Sequence, residues 1–341
     1  MTEREELLRF FKKVLIAGGV LLAAGLVVMM REVLVYLLIA LMIAAALTPL
    51  LEAGEARRIP RAVTLGVVLL IALALLGLAG IFLLPVLVQQ GQHLARTLPG
   101  MVMALPHRLP PLPGLERGGA PLGNLGEALQ LGLTQGLQAL LMAVTSLGHL
   151  ALVLTFLVFI ALDAPTINRT ILRLLPADLA RTMAGEFAEM GRRMARYVLG
   201  QLIISGILAS ACLVVLLLLH VPFALLLSAT LGLFAMLPVI GPFLGMLPSV
   251  FIAWFVSPLT ALWVGVALYA LIHVVASFVA PFVYRRQAHL HPLVMLLALA
   301  LGARLAGIAG AVVAVPVAAA LQVLVTDLYL APKEARERAS P

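Results

Sequence analysis

The 35 residues 222–256 read PFALLLSATLGLFAMLPVIGPFLGMLPSVFIAWFV, and this stretch decides the fold class. It contains no charged side chain, but Pro238, Gly241, Pro242 and Pro248 interrupt it. At about 1.5 Å per residue it is too long for one helix across a bilayer core of about 30 Å and too short for two ordinary crossings. The stretch predicts a short or re-entrant helical hairpin broken near Pro238.

A second apolar stretch of the same length, 292–326, has the same character. Its interruptions are Gly302, Arg304, Gly307, Gly310 and Pro316. Backbone groups freed at such breaks are tolerated at membrane depth only when they are buried in protein or line a wet cavity. Because paired broken segments point to the binding site of a transporter, the two hairpins are expected to surround a solute pathway.

The composition supports a membrane protein. Hydrophobic residues make up 63% of the 341 residues and charged residues 11%, with a mean hydropathy of +1.14. In soluble proteins, hydrophobic residues make up about 45–50% and charged residues about 25%. So few charges cannot cover a soluble particle, and the lipid bilayer is therefore the predicted solvent. The net charge of +8 comes from basic residues that are thinly spread, which argues against a nucleic-acid partner.

Further apolar runs predict an all-α polytopic protein with about eight transmembrane helices, the two hairpins included. The predicted spans are 14–30, 33–51, 62–88, 139–162, 197–219 and 259–283. The first run resembles a signal peptide, but the next begins at Val33 with no cleavage site between them, so both are predicted to stay. The spans and hairpins form a single membrane domain over 1–341, with three N-terminal spans within 14–88.

Basic residues predict the orientation. One side of the membrane receives Arg4, Arg9, Lys12, Lys13, Arg57, Arg58, Arg61, Arg169, Arg173, Arg181, Arg192, Arg193 and Arg196, and the other receives Arg31, Arg96, Arg108 and Arg117. The richer side is cytoplasmic by the positive-inside rule. We expect the bacterial inner membrane, both termini in the cytoplasm, a cytoplasmic tail at 327–341, and hairpins that return to the side they came from.

Two segments are predicted to lie outside the bilayer. The proline-rich segment 89–123 indicates an irregular external arm, which continues to 138 through a capping box at Asn124 and Glu127. The helical part of this arm either covers its own loop or contacts another subunit. Segment 163–196 predicts a cytoplasmic amphipathic helix that starts near Asp178 and runs into the fifth span, with Glu189 facing the two arginines that follow it.

The sequence contains no pattern of an enzyme, a cofactor site or a metal site. No lysine follows a glycine-rich loop, and His289 and His291 have no cysteine or carboxylate nearby. All Asp and Glu residues lie outside or at the ends of spans, with Asp163 and Asp327 nearest to the bilayer. Because coupled carriers commonly place a carboxylate at membrane depth, this weakens proton or sodium coupling.

Two of the predicted site residues, His273 and Arg304, carry ionisable side chains within predicted membrane segments. His273 either hydrogen-bonds between helices or contacts substrate. Arg304 lies between the two apolar arms of the last hairpin. It either snorkels to an interface or supplies a positive group at a cavity mouth.

The motifs and their order resemble the autoinducer-2 exporter family of bacterial membrane proteins over nearly the whole chain. Near the N-terminus, Thr48-Pro49-Leu50 and Arg57-Arg58-Ile59-Pro60-Arg61 are similar to a family hairpin. Asp163 matches an acidic residue that closes the fourth span. The strongest likeness lies in the hairpins, in Leu237-Pro238-Val239-Ile240-Gly241-Pro242, Leu290-His291-Pro292, Gly302, Gly307-Ile308-Ala309-Gly310 and Val315-Pro316.

The resemblance implies a homo-oligomeric exporter or permease of small solutes. Many relatives have an acidic residue where this chain has Val275 and Ala276, which weakens cation antiport further. We therefore expect transport of a small, largely uncharged polar solute, with an autoinducer-2-like molecule as one candidate. The alternatives are a sodium/proton antiporter and a membrane scaffold without transport. The predicted pathway residues are Pro238, Gly241, Pro242, Gly245, His273, His291, Pro292, Gly302, Arg304, Gly307, Gly310 and Pro316.

Overall fold

The computed structural model describes residues 29–108, 126–127, 130–132, 134–135, 138, 147–283 and 291–325. The regular structure in these residues is helical. The longer helices are α1 (Arg31–Ala56), α2 (Arg61–Arg108), α3 (Leu147–Leu174), α4 (Ala177–Leu218), α5 (Ala224–Phe234), α6 (Gly241–Val256), α7 (Pro258–Val274) and α9 (Pro292–Val325). A short π-helix, Val275–Val279, follows α7 and leads into α8 (Ala280–Val283).

Within the described residues, six helices are long and apolar enough to cross a membrane, so the chain is a multi-pass membrane protein by length and composition. These candidate spans are Glu32–Ala56, Arg61–Ala104, Gly148–Leu174, Gly185–Leu218, Pro258–Val283 and Leu293–Gln322. Helices α5 and α6 have only 11 and 16 residues. The predicted first span at 14–30 lies almost wholly outside the described residues, as does the predicted tail at 327–341.

Helix α2 corrects the prediction of irregular chain after residue 88. It has 48 residues and continues without a break to Arg108. The cause is an apolar stripe at steps of three and four, whose members Leu94, Ala95, Leu98 and Val102 are all buried. The proline content of the segment suggested a loop, but burial of this stripe outweighs the cost of the prolines within the helix.

Helix α3 ends later than predicted. The sequence suggested a span that closes at residue 162, but α3 runs through Asp163 and Pro165 to Leu174. The break falls just before Pro176, which disfavours helical backbone in the residue ahead of it.

Helix α4 begins at Ala177 and is continuous into the predicted fifth span. The predicted ion pairs on α4 are confirmed. Glu189 lies 3.0 Å from Arg192 and 3.1 Å from Arg193, measured between carboxylate oxygen and Nε.

The chain forms two compact units. Unit 1 comprises 1–48, 151–195 and 288–341, and unit 2 comprises 49–150 and 196–287. The main buried cluster lies in unit 2, where Cys212, Leu231 and Leu268 are fully buried. Helices α4 to α7 each contribute to this cluster, which therefore fixes α5 and α6 against their neighbours.

Candidate functional site

The predicted break in 222–256 is a tight turn between α5 and α6. Phe234 ends α5, and Gly241 begins α6 with Pro242 in its first turn, where a missing N–H costs nothing. Val239 lies in the turn with a left-handed φ of 68°, and its side chain is half exposed. The Gly241 N–H donates to the carbonyl oxygen of Leu237 over 3.1 Å. The turn therefore satisfies part of its own backbone and presents Val239 outward.

Gly241 and Gly245 form a close contact between α6 and α5. A Cβ on Gly241 would overlap the Phe234 carbonyl oxygen and lie 2.7 Å from its carbon. A Cβ on Gly245 would lie 2.7 Å from the Cα of Leu231. Side chains do not approach backbone so closely, so only glycine permits this packing, as in other small-xxx-small helix pairs. At both positions the neighbour is α5 rather than open space.

Two glutamines hold the ends of α5. The Leu226 N–H, in the first turn of α5, donates to Gln90 Oε1 of α2 over 2.9 Å. The residue that precedes α5, Phe223, provides no side-chain cap. At the other end, Gln201 Nε2 of α4 donates to the carbonyl oxygen of Ala235, which follows the last residue of α5. Helix ends leave such groups without intrahelical partners, and here both receive one from a neighbouring helix.

Sequence reasoning missed both glutamines. Gln201 could have been noticed, because placing an amide in an apolar span costs free energy, and such a residue is therefore expected to have a specific hydrogen-bond partner. Gln90 could not, because its partner is a backbone group of a helix that lies far away in the sequence.

The structure brings His273 close to the break. Its ring lies 6.1 Å from that of Phe243 and 4.1 Å from that of Tyr269, measured between centroids. His273 Nδ1 lies 3.0 Å from the Tyr269 carbonyl oxygen, which can only accept, so this nitrogen carries a hydrogen. The side chain is exposed, and the π-helix begins two residues later. π-Helical turns often mark functional sites, which draws attention to this face of α7.

An apolar cavity of about 420 Å³ lies between α2, α5 and α6. Its lining residues are Leu94, Leu98, Phe234, Leu244, Leu247, Pro248, Phe251 and Ile252. None of these side chains can form a hydrogen bond, so they suit hydrocarbon rather than a polar solute.

Helix α9 is broken at the second predicted site. Ala306 and Gly307 leave the helical region, and Gly307 has a φ of 61°. A Cβ on Gly310 would lie 2.9 Å from the carbonyl carbon of Gly302, and one on Gly302 would lie 2.6 Å from the Ala314 Cβ. An unbroken helix separates residues eight apart by about 12 Å. The two arms of α9 therefore fold back on each other, and Gly302 meets Gly310.

The remaining predicted site residues are spread along α9. Arg304 is exposed two residues before the break, and Pro316 is buried in the second arm. His291 precedes Pro292, which begins α9, and its Nδ1 accepts from the Leu293 N–H over 3.3 Å.

The predicted pathway residues thus form two groups. The group in unit 2 is Pro238, Gly241, Pro242, Gly245 and His273, and the group in unit 1 is His291, Pro292, Gly302, Arg304, Gly307, Gly310 and Pro316. Within the described residues, no group of three or more His, Cys, Asp or Glu side chains could hold a metal ion.

Comparison with known proteins gives a consistent result. The profile of the AI-2E family transporter matches residues 14–330. The chain is 26% identical to "Putative transport protein YrrI" of Bacillus subtilis, over 84% of each chain. It is 28% identical to "Putative transport protein YueF" of the same organism, over 56% of this chain and 52% of the relative. It is 27% identical to "Putative transport protein MT0215" of Mycobacterium tuberculosis, over 86% and 83%.

Proposed function

The chain belongs to the AI-2E family of transporters, and from that premise we propose that it exports a small, largely uncharged polar solute. The direction is outward across the bacterial inner membrane, and the mode is that of a facilitator or secondary carrier. The similar proteins are named as transport proteins, which supports this class of function. Both termini are proposed to lie in the cytoplasm, and the working form is proposed to be a homo-oligomer.

One observation carries this proposal: α5 is short, apolar and held at both ends by glutamine side chains. At about 1.5 Å per residue, α5 is about 16 Å long and α6 about 24 Å, so neither crosses a core of about 30 Å. We propose that the pair re-enters the membrane and that its turn lies at depth. Broken backbone at that depth requires protein or water around it, and Gln201 supplies a partner for the carbonyl oxygen of Ala235 beside the turn.

The proposed pathway passes the exposed side of this turn. Val239 in the turn and His273, whose ring lies near that of Phe243 in the first turn of α6, are both exposed. The turn provides carbonyl oxygens, and His273 provides a ring nitrogen beyond the one that contacts Tyr269. These groups can exchange hydrogen bonds with solute hydroxyls without carrying a fixed charge. Gly241 and Gly245 have a different role: they hold α6 against α5 and so fix the shape of the turn.

The break in α9 is proposed as the second element of the pathway. Gly307 permits the reversal, and Gly302 and Gly310 hold the two arms together. Arg304 lies beside the break and adds a positive group that could attract the electron-rich oxygens of a solute. His291 and Pro292 lie at the start of the first arm, and Pro316 is buried within the second.

The buried polar side chains favour this function over the antiporter alternative. In the part of the chain that the structure describes, they are Gln201, Ser205, Ser228 and Ser249, all uncharged. A coupled cation carrier usually needs a carboxylate among such groups. The scaffold alternative differs in its prediction, because a scaffold moves neither solute nor ions.

Flux through proteoliposomes tests the proposal. We expect the purified full chain to speed the exit of radiolabelled erythritol or xylitol relative to protein-free liposomes. Dissipation of a pH gradient on addition of sodium, without polyol flux, would instead establish the antiporter. If neither solute nor ions move at any protein density, the scaffold alternative is correct.

A further inference from the structure

We propose that a groove on α3, lined by Asp163, Thr166, Ile167, Thr170 and Ile171, binds a small hydroxylated solute. This inference rests on the proposed function and deepens it, because it assigns a recognition site to unit 1. The lining residues recur at steps of three and four, so they occupy one face of the helix. The groove has a volume of about 370 Å³.

The two threonines in the groove differ from other helical threonines of this chain. The hydroxyls of Thr48, Thr97, Thr155 and Thr230 each donate to the carbonyl oxygen four residues earlier. Such bonds are the usual way in which a hydroxyl in an apolar helix is satisfied. Thr166 and Thr170 form no such bond, so their hydroxyls are available to a ligand as donors and as acceptors.

Asp163 completes the polar side of the groove. Its carboxylate is exposed, and among the described residues no basic side chain pairs with it. A carboxylate accepts hydrogen bonds through two oxygens, and bonds to a charged acceptor are stronger than neutral ones. One carboxylate and two hydroxyls, spaced about 5–6 Å from one to the next along a helix face, can therefore contact separate hydroxyl groups along one carbon chain.

The dimensions and the apolar wall decide the class of ligand. A protein-bound cation lies about 2.0–2.6 Å from its oxygen ligands and needs only a small site. The volume of this groove instead falls in the range of about 300–1,000 Å³ that is usual for sites of small molecules. Ile167 and Ile171 provide surface for a carbon skeleton. The ligand is therefore a compact polyhydroxylated molecule rather than a bare ion. The apolar cavity of unit 2 could not recognise such a molecule, because its side chains offer no hydrogen bonds.

The position on α3 suits capture before export. Helix α3 has 28 residues, about 42 Å, which exceeds a bilayer core of about 30 Å. Asp163 and Thr170 lie in its second half, towards the end that the proposed topology places in the cytoplasm. A solute bound there is taken from the compartment that the exporter empties.

The test is binding of erythritol to the purified full chain in nanodiscs, followed by saturation-transfer NMR. We expect Asp163→Asn, and the shape-conserving double variant Thr166→Val with Thr170→Val, each to lower the erythritol signal about tenfold. Thr155→Val is the matched control, because this residue lies on the same helix and its hydroxyl is already bonded to Ala151. It should leave the signal unchanged.

Equal erythritol signals in wild type and in the double variant, at matched yield and helix content, would overturn the groove. So would no signal in wild type, or an equal loss in Thr155→Val. Flux separates this proposal from the one on which it rests. Polyol flux in wild type that the double variant retains at full rate refutes the groove and leaves the transport function standing. Groove-dependent binding without flux in wild type supports the groove and refutes transport.

Discussion

The side-chain amide of Gln201 donates a hydrogen bond to the carbonyl oxygen of Ala235, where α5 ends. Gln201 is buried and belongs to α4, so this contact fixes the break between α5 and α6 to the neighbouring helix. A buried carbonyl that loses its partner costs about 1–3 kcal/mol.

The first prediction concerns this bond. Gln201→Leu keeps the volume of the side chain and removes the donor, so the free energy of unfolding should fall by about 1–3 kcal/mol. The measurement is the melting temperature of the purified protein in detergent. Ser210→Ala, an exposed change on the same helix, should have no effect. An unchanged melting temperature in Gln201→Leu would show that the amide does not hold α5.

The second prediction compares neighbouring glutamines on α2. Gln90 caps the first turn of α5, whereas Gln89 is exposed. Loss of a helix N-cap costs about 0.5–2 kcal/mol. We expect Gln90→Leu to lower thermal stability and to speed hydrogen exchange in α5, while Gln89→Leu changes neither. Identical exchange in the two variants would contradict the capping role.

The third prediction concerns the packing of α6 on α5. Even a methyl group at Gly241 or Gly245 would press into the backbone of α5, so each alanine variant should destabilise the protein and reduce flux strongly. Gly80 has no atom within 4 Å of an added Cβ. Gly80→Ala should therefore retain normal flux at matched membrane levels. Wild-type flux in Gly241→Ala would remove the helix contact from the mechanism.

The fourth prediction concerns backbone strain at Gly307. Nothing lies within 4 Å of an added Cβ there, but φ is 61° in a region that side chains rarely adopt. Gly307→Ala should cost about 1–3 kcal/mol of stability through conformation alone. Gly148 also has open space but no positive φ, so Gly148→Ala is the control. Equal melting temperatures in the two variants would argue against a strained turn.

The fifth prediction concerns topology. In a Cys212→Ala background, Arg58→Cys and Arg286→Cys should react with an impermeant maleimide only from the cytoplasmic side, and Arg96→Cys only from the other. This follows if both broken stretches return to the side they came from. Reaction of Arg286→Cys from outside would refute the paired re-entrant arrangement.

Local sequence predicted the breaks well, because proline and glycine act on their own backbone. The helices are interrupted near Pro238 and Gly241 and at Gly307, within the two stretches where proline and glycine predicted a break. The long α4 and the pairing of Glu189 with Arg192 also depend on near neighbours, and both were predicted.

Features that depend on distant partners were not predictable. Residues 89–108 are helical because Leu94 and Leu98 pack on other helices of unit 2, although prolines in the segment suggest a loop. The partners of the two glutamines have no pattern in sequence, since each side chain bonds to backbone elsewhere in the chain. The groove at Asp163 required knowledge that α3 continues past the predicted end of the span.

The attachment of α5 at both ends restricts how this protein can move. A helix of 11 residues is marginal by itself, and this one depends on Gln90 at its start and Gln201 at its end. It is also packed against α6 through Gly241 and Gly245, so a shift of α5 would carry α6 with it and would require Gln90 or Gln201 to release its hydrogen bond. A working cycle would therefore consist of discrete steps, each the exchange of one hydrogen bond for another, rather than gradual flexing of the chain.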